Sequence, residues 1–220
     1  FILIIFFISK DFNTHEIDLF HEGQALSGAL NFRLENELWK SSFVVTSLFV
    51  DILNANIAWD LFNSKSLSAY RYFIKILNLI SALSIFIFIF KFVNGTSLNK
   101  NLRTLFFIIL GYFVFSLINN NAFSYRDLPL FIFFIVVYEI FNQKKINFLD
   151  CFILGILPIL SLLWSLDRGV FMIAGYIPLF LIFISNKSIK ELILILIFFI
   201  ISIFIFYHVI GQIEFTNFII

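Results

Sequence analysis

The chain has 220 residues, of which 61% are hydrophobic and 13% charged, and its mean hydropathy is +1.00. Soluble domains have about a quarter of their residues charged, so this composition excludes an ordinary soluble domain and indicates an integral membrane protein. The net charge of +1 gives no basic excess that would attract nucleic acid. The single cysteine, Cys151, excludes an internal disulfide.

The first apolar run, residues 1–8, is too short to cross a bilayer. It covers about 12 Å, whereas a spanning helix needs about 20 residues. We interpret it as the outer end of a helix that begins earlier. We therefore expect the chain to be a fragment, truncated at both ends, of one transmembrane domain.

A long loop follows, residues 9–70, which holds eight of the fourteen acidic residues. Within it, residues 43–62 are apolar but interrupted by two Asp and two Asn, which a spanning helix would bury at high cost. An amphipathic segment lying in the membrane interface is the better interpretation, with Trp39 and Trp59 at the level of the headgroups. The loop is therefore predicted to contain interfacial helices.

Six apolar runs then predict a helical bundle over residues 71–209. We place its spanning helices at Arg71–Val93, Thr104–Leu117, Leu128–Phe141, Phe152–Ser165, Gly169–Ser185 and Glu191–Val209. Together with the truncated first helix they predict an all-α polytopic membrane protein of about seven transmembrane helices with a long amphipathic first outer loop.

The orientation of the bundle follows from the basic residues near the ends of its helices, because cytoplasmic loops carry an excess of Lys and Arg. One alternating set of helix ends and loops holds Lys91, Lys100, Arg103, Lys144, Lys145, Lys187 and Lys190. The opposite set of short loops, counted without the long first loop and the start of the first span, holds only Arg126 and Arg168. The asymmetry places the first set in the cytoplasm and the long first loop outside.

The segment that begins at Asp18 concentrates ionisable side chains in an otherwise apolar chain. If it is helical, Asp18, His21 and Glu22 share one face. They can supply a general base with an orienting partner, or ligands for a divalent metal, whereas the structural alternative is a solvated loop. Gly23 favours a site, because it permits close approach of a ligand or another backbone. A zinc protease motif is excluded, since Ala25 stands where HExxH needs its second His.

Two pairs of opposite charge, Arg126 with Asp127 and Asp167 with Arg168, lie on the same outer side. Each is interpreted either as a local ion pair that anchors a helix at the interface, or as part of a phosphate clamp built on the planar guanidinium. His208 is predicted to be an interfacial residue rather than a catalyst.

The order of these features resembles the polytopic GT-C glycosyltransferases, which include the protein O-mannosyltransferases and bacterial relatives that use polyprenyl-phosphate sugars. The resemblance rests on the acidic first outer loop with Asp18 in DLFHEG, the stretch LFVDIL…IAWDLF, SLSAYR before the next helix, and the short loops with Arg-Asp and Asp-Arg-Gly. It covers the amino-terminal half of such a protein. The first-loop acid of the family maps onto Asp18 and its second outer acid onto Asp127. The family often has two adjacent acids in the first loop, whereas Asp18 and Glu22 are separated, which leaves open which one is the base.

The resemblance implies an inverting sugar transfer from a polyprenyl-phosphate donor to a glycan, lipid or protein acceptor at the outer face of a bacterial inner membrane, as part of cell-envelope assembly. Together with the interpretation of the residues above, it gives Asp18, His21 and Glu22 as the candidate catalytic residues and Arg126, Asp127, Asp167 and Arg168 as the candidate substrate-binding residues. Membrane lipid and the lipid-linked sugar are the implied partners, and a divalent metal is the one cofactor considered.

Two other functions fit the same sequence features. One is a transporter or flippase, although its spans would be expected to carry more ionisable groups near the membrane centre. The other is an O-antigen polymerase or ligase, whose large outer loop usually comes late in the chain.

Overall fold

The computed structural model describes residues 18, 20–35, 38, 44, 46–119, 123–143, 146–185 and 189–219. Over these ranges the chain is helical and contains no strand, which confirms the all-α prediction. The truncated first helix predicted at residues 1–8 lies outside the described residues.

From the π-helical turn at Phe49 onward the helices follow one another closely along the chain. The α-helices are α1 (His21–Glu35), α2 (Asn54–Leu61), α3 (Leu67–Asn94), α4 (Lys100–Asn119), α5 (Leu128–Gln143), α6 (Phe148–Trp164), α7 (Leu166–Ser185), α8 (Ile189–Ile210) and α9 (Gln212–Ile219). A π-helical turn, Phe49–Leu53, runs directly into α2, and a 3-10 turn, Tyr125–Asp127, runs directly into α5. All six predicted spans are helices, with ends displaced by about one turn or less.

Among the described residues, four helices are long and apolar enough to cross a membrane: α3, residues 100–117 of α4, α7 and α8. Helices α5 and α6 have 16 and 17 residues. Helices of that length reach only about 24–26 Å, which is less than the roughly 30 Å of a bilayer core. The fold is consistent with a helical membrane protein, and the predicted count of seven spans is not confirmed.

The outer surface of the bundle is apolar. Helix α4 illustrates this, because it packs mainly against α3 and exposes the large side chains Leu105, Phe106, Ile108, Ile109 and Phe113. Soluble proteins rarely expose so continuous an apolar surface, whereas lipid chains cover it in a membrane. The surface therefore agrees with the composition.

The largest cluster of buried residues joins α5, α6, α7 and α8. Gly155 of α6 lies against α8, where an added Cβ would clash with Phe198 and with the carbonyl of Ile195. Small residues let helices in membranes approach closely, and dispersion contacts then hold them together. This packing fixes the junction between α6 and α7, which carries part of the candidate site.

The bundle has two chemically different ends. Helices α3, α5 and α7 begin at one end, which also carries α1 and α2 and which we call the polar end. There the Leu166 amide donates to the Thr46 carbonyl over 3.1 Å, and the Ser47 hydroxyl donates to the Trp164 carbonyl over 2.7 Å. At the opposite end, Lys91 of α3 forms an ion pair with Glu139 of α5.

The segment that contains the π-helical turn and α2 differs from the predicted amphipathic pattern. Its polar residues Asp51, Asn54 and Asn56 are buried, whereas Ile57 and Leu61 are exposed. Three of the four polar residues that interrupt the segment therefore lie inside the protein, and the fourth, Asp60, is exposed. Apolar residues also lie on both sides, because Trp59 is buried whereas Ile57 is exposed. The location of this segment at the membrane interface stays a prediction.

Hydrogen bonds and an aromatic stack explain why Asp51 is tolerated inside. Its Oδ2 accepts the amides of Thr46 and Ser47 over 2.6 and 3.1 Å, so the carboxylate satisfies donors that precede the turn. Beside it, the rings of Phe49 and Trp164 stack with their centroids 3.7 Å apart. The turn is thereby fastened to the α6–α7 junction.

Helix α1 packs on this turn through a face of small residues, Ala25, Gly28 and Ala29, all of them buried. A Cβ at Gly28 would clash with the carbonyl oxygen of Asp51, so only glycine permits this approach. At the far end of α1, Arg33 forms an ion pair with the exposed Asp60 of α2 over 2.5 Å. Helix α1 is thus held at both ends.

Candidate functional site

Asp18 is the N-cap of α1 rather than a residue within it. Its Oδ1 accepts the amides of Phe20 and His21, both over 3.0 Å, which satisfies donors that the first turn of a helix leaves unpaired. These bonds, above all that from the His21 amide, lower the pKa of the Asp18 carboxyl below its ordinary value. Asp18 therefore precedes α1, whereas the shared face was considered for a helix that includes Asp18.

The second oxygen of Asp18 orients the imidazole of His21. Oδ2 lies 2.7 Å from Nδ1, and 78% of the His21 side chain is exposed. An ionised carboxylate only accepts hydrogen bonds, so Nδ1 carries the proton and Nε2 is the basic nitrogen. The structure thus brings Asp18 and His21 together, as the sequence predicts, in the arrangement of a base and its orienting acid.

Glu22 has a different partner. Its two oxygens accept Nε and Nη2 of Arg71 in α3 over 2.5 and 2.7 Å, and one of them also accepts the Asp18 amide over 3.0 Å. Arg71 lowers the pKa of Glu22, whose side chain is only 16% exposed. The expected face shared by Asp18, His21 and Glu22 is therefore divided: the first two face solvent and the third fastens α1 to α3.

Two further expectations about this segment concern close approach at Gly23 and the binding of a divalent metal. A Cβ at Gly23 would meet nothing within 4 Å, so Gly23 is not a point of close approach in the described part of the chain. No group of three His, Cys, Asp or Glu side chains among the described residues is arranged to hold a metal ion. The carboxylate oxygens of Asp18 and Glu22 instead accept hydrogen bonds from donors within the protein.

The Arg-Asp and Asp-Arg pairs exchange partners across the polar end. Arg126 Nη2 lies 2.8 Å from Asp167 Oδ1, and Arg168 Nε lies 2.8 Å from Asp127 Oδ1. Each arginine thus pairs with the acid of the other loop, and the four residues form one cluster. The shorter contacts therefore run between the two loops, and the local contact of Arg168 with Asp167 Oδ2 is longer, at 3.9 Å.

The 3-10 turn holds Asp127 rigidly. Asp127 accepts the Ser124 amide over 2.8 Å in a capping box, and its side chain is only 5% exposed. Burial raises the pKa of Asp127 above its ordinary value, and the nearby arginines oppose the shift. The turn is fastened to α3 as well, because the Tyr125 amide donates to Asn78 over 2.7 Å.

A polar link of three side chains joins the two groups of residues. Asn54 Nδ2 lies 3.5 Å from the Tyr125 hydroxyl, and Asn54 also lies close to the side chain of Tyr70. Burial raises the pKa of Tyr125 to about 12, so its hydroxyl stays protonated at neutral pH. Tyr70 precedes Arg71 in the chain and Tyr125 precedes Arg126, so these three polar side chains lie between the Glu22–Arg71 pair and the four-residue cluster.

Sequence reasoning missed Arg71, Asn54 and Ser165 as parts of the polar end. A basic residue in the first turns of a spanning helix, as Arg71 is, indicates an acidic partner outside the span and could have identified Glu22. Asn54 and Ser165 gave no such signal, because their roles depend on contacts between distant segments. His208 is exposed and contacts the rings of Phe204 and Tyr207, with centroids 4.2 and 5.3 Å away, and its location at the membrane interface stays a prediction.

Comparison with known proteins adds no identification: no protein-family model, curated protein or solved structure matches the chain. The assignment of function therefore rests on the residues of the polar end.

Proposed function

We propose that the protein is a membrane glycosyltransferase that moves a sugar from a polyprenyl-phosphate donor to an acceptor at the polar end of the bundle. The observation that carries the proposal is that the Asp18–His21 pair and the four-residue cluster of Arg126, Asp127, Asp167 and Arg168 lie at this same end. A donor whose tail lies in the bilayer would present its phosphate at such an end. The charge asymmetry of the loops favours the extracytoplasmic face. A bacterial plasma membrane is what the resemblance to the GT-C glycosyltransferases implies.

In this proposal Asp18 and His21 act as the base. The acceptor hydroxyl loses its proton to His21 Nε2, while Asp18 holds Nδ1 and stabilises the imidazolium that forms. The acceptor oxygen bonds to the anomeric carbon as the bond from that carbon to the phosphate oxygen breaks, through an oxocarbenium-like transition state. Polyprenyl phosphate leaves with the electrons of the broken bond.

Arg126 and Arg168 stabilise the departing phosphate. Their side chains are about one-third exposed, at 32% and 35%, so that solvent and a ligand reach them. A guanidinium is charged at every relevant pH and can donate two parallel hydrogen bonds to phosphate oxygens. Glu22 acts as a positioning residue, since its pairing with Arg71 holds the start of α1, and with it His21, against α3.

The test is transfer of radiolabelled sugar from polyprenyl-phosphate donors in membranes that contain the protein expressed from its complete gene. Asp18→Asn and His21→Ala are expected to reduce transfer by about 10²–10⁴-fold, the usual contribution of a general base. The matched control is Asp60→Asn, which removes an exposed acid elsewhere at the polar end and is expected to leave transfer unchanged.

Three outcomes contradict the proposal or part of it. Unchanged transfer by Asp18→Asn and His21→Ala at matched expression would remove this pair from the mechanism. Loss of transfer in Asp60→Asn as well would show a general structural effect. Absence of transfer by the wild type with every donor, together with movement of labelled lipid between leaflets, would replace the transferase with a flippase.

A further inference from the structure

The Asp167 carboxylate is surrounded by hydrogen-bond donors. Oδ1 lies 2.8 Å from Arg126 Nη2 and accepts the Ser165 hydroxyl over 2.6 Å, while Oδ2 lies 3.9 Å from Arg168 Nε. Arg126 Nε donates to Ser165 Oγ over 3.0 Å, so one guanidinium reaches the carboxylate both directly and through the hydroxyl.

The two acids of the cluster are held differently. Asp127 is buried and forms a capping box with its own turn, so it cannot leave without breaking that turn. The side chain of Asp167 is 45% exposed at the start of α7 and can rotate into solvent while the helix stays in place. Asp167 is therefore the acid that a competing anion would displace.

Arg168 Nε supports this interpretation. It is buried and lies near both carboxylates, yet it makes no well-aligned hydrogen bond within the described part of the chain. The two planar carboxylates do not align with every donor here, whereas a tetrahedral phosphate presents oxygens in several directions. The cluster contains two arginines and two acids, so loss of the Asp167 charge leaves it with a net charge of about +1.

We propose that Arg126, Ser165 and Arg168 form a binding site for a phosphate group, and that the Asp167 carboxylate competes with the ligand for this site. The inference rests on the proposed function in taking the phosphate of a prenyl phosphate as the ligand. It also changes the role of Asp167 from a substrate-binding residue to a displaceable internal competitor.

The experiment measures binding of inorganic phosphate and of geranyl phosphate to the purified full-length protein in detergent by titration calorimetry. Asp167→Asn removes the competing charge and is expected to bind both ligands about tenfold more tightly than the wild type, the value of one charged hydrogen bond. Adding Arg126→Gln to that variant is expected to abolish the gain. Asp60→Asn, which releases Arg33 from a comparable exposed pair, is the matched control and is expected to bind as the wild type does.

The outcomes distinguish the phosphate-binding site from the proposed sugar transfer. Equal or weaker binding by Asp167→Asn, or by Asp167→Ser if the first variant does not fold, would overturn the proposal. Tighter binding of geranyl phosphate than of inorganic phosphate identifies a lipid phosphate as the ligand, and equal binding identifies free phosphate; both support the site. A gain in binding together with no sugar transfer by the wild type would uphold the phosphate site and overturn the proposed function.

Discussion

The pairing of Glu22 with Arg71 predicts how firmly α1 is held against α3. Glu22→Gln removes one partner of a bidentate pair whose side chains are 16% and 29% exposed. Hydrogen bonds to charged groups are worth about 1.5–3 kcal/mol, and partial exposure places this pair in the middle of that range, near 2 kcal/mol. A loss of about 2 kcal/mol raises the opening equilibrium of α1 roughly 30-fold.

Hydrogen exchange of the α1 amides, measured by mass spectrometry in lipid nanodiscs, reports this opening directly. The control is Asp60→Asn, which breaks the Arg33 pair at the other end of α1, where the Asp60 side chain is 73% exposed. Because exposed pairs contribute only about 0.2–1 kcal/mol, the control is expected to change exchange several-fold at most. Equal exchange in Glu22→Gln and the wild type, or equal effects of the two variants, would refute the reasoning.

The same pair has a pH signature. Arg71 lowers the pKa of folded Glu22, so the folded state favours the ionised form more than the unfolded state does. The stabilisation is therefore complete above the ordinary pKa of a glutamate, about 4.3, and is lost as the pH falls through the lower folded value. We expect the difference in α1 exchange between the wild type and Glu22→Gln to be constant at neutral pH and to shrink in acid.

Three further predictions concern stability, measured as thermal unfolding in detergent. Gly28→Ala is expected to destabilise the protein by about 1–3 kcal/mol, because its Cβ would clash with the carbonyl of Asp51. The matched change Gly23→Ala meets nothing within 4 Å and is expected to stabilise by about 0.5–1 kcal/mol; a loss there equal to that of Gly28→Ala would contradict the packing argument. Asp51→Ala leaves two amides at a buried position without their acceptor and is expected to lower the free energy of unfolding by about 2–4 kcal/mol. Asp51→Asn is expected to recover part of this loss. An Asp51→Ala variant as stable as the wild type would show that the carboxylate is not needed. Burial raises the pKa of Asp127 in the folded protein, so the folded state favours the protonated carboxyl more than the unfolded state does. The stabilisation that results is fully present below the ordinary pKa of an aspartate and is lost as the pH rises through the folded value. This decline is expected to be absent from Asp127→Asn. A stability that rises with pH because of Asp127 would reverse the sign of this argument.

Much of the fold was predictable because its signal is local. Six apolar runs were long enough to predict helices, and all six are helices. Charged residues lie near helix ends because burial at the membrane centre is costly, so their positions along the chain also indicated which end of the bundle would be polar. The contact of Asp18 with His21 was predictable for the same reason, since it joins residues three positions apart.

The sequence predicted the residues of the candidate site better than it predicted their partners. Arg126 and Asp127 are neighbours in the chain, yet each pairs with a residue of the other loop, about forty positions away. Glu22 was grouped with His21 by helical spacing, whereas its partner is Arg71 in another helix. Asp51 and Asn54 were expected at an interface, but the packing of α1 and the α6–α7 junction buries them.

The sequence by itself therefore determined the class of the protein, the positions of its main helices and the end at which its charges gather. Hydropathy and helix periodicity act over fewer than about 20 residues, and that range suffices for these properties. The tertiary structure alone decided which arginine meets which acid, which acid is buried and fixed, and which can be displaced. Those choices depend on contacts between helices that are far apart in the chain, because only packing determines which side chains become neighbours and how much water still reaches them.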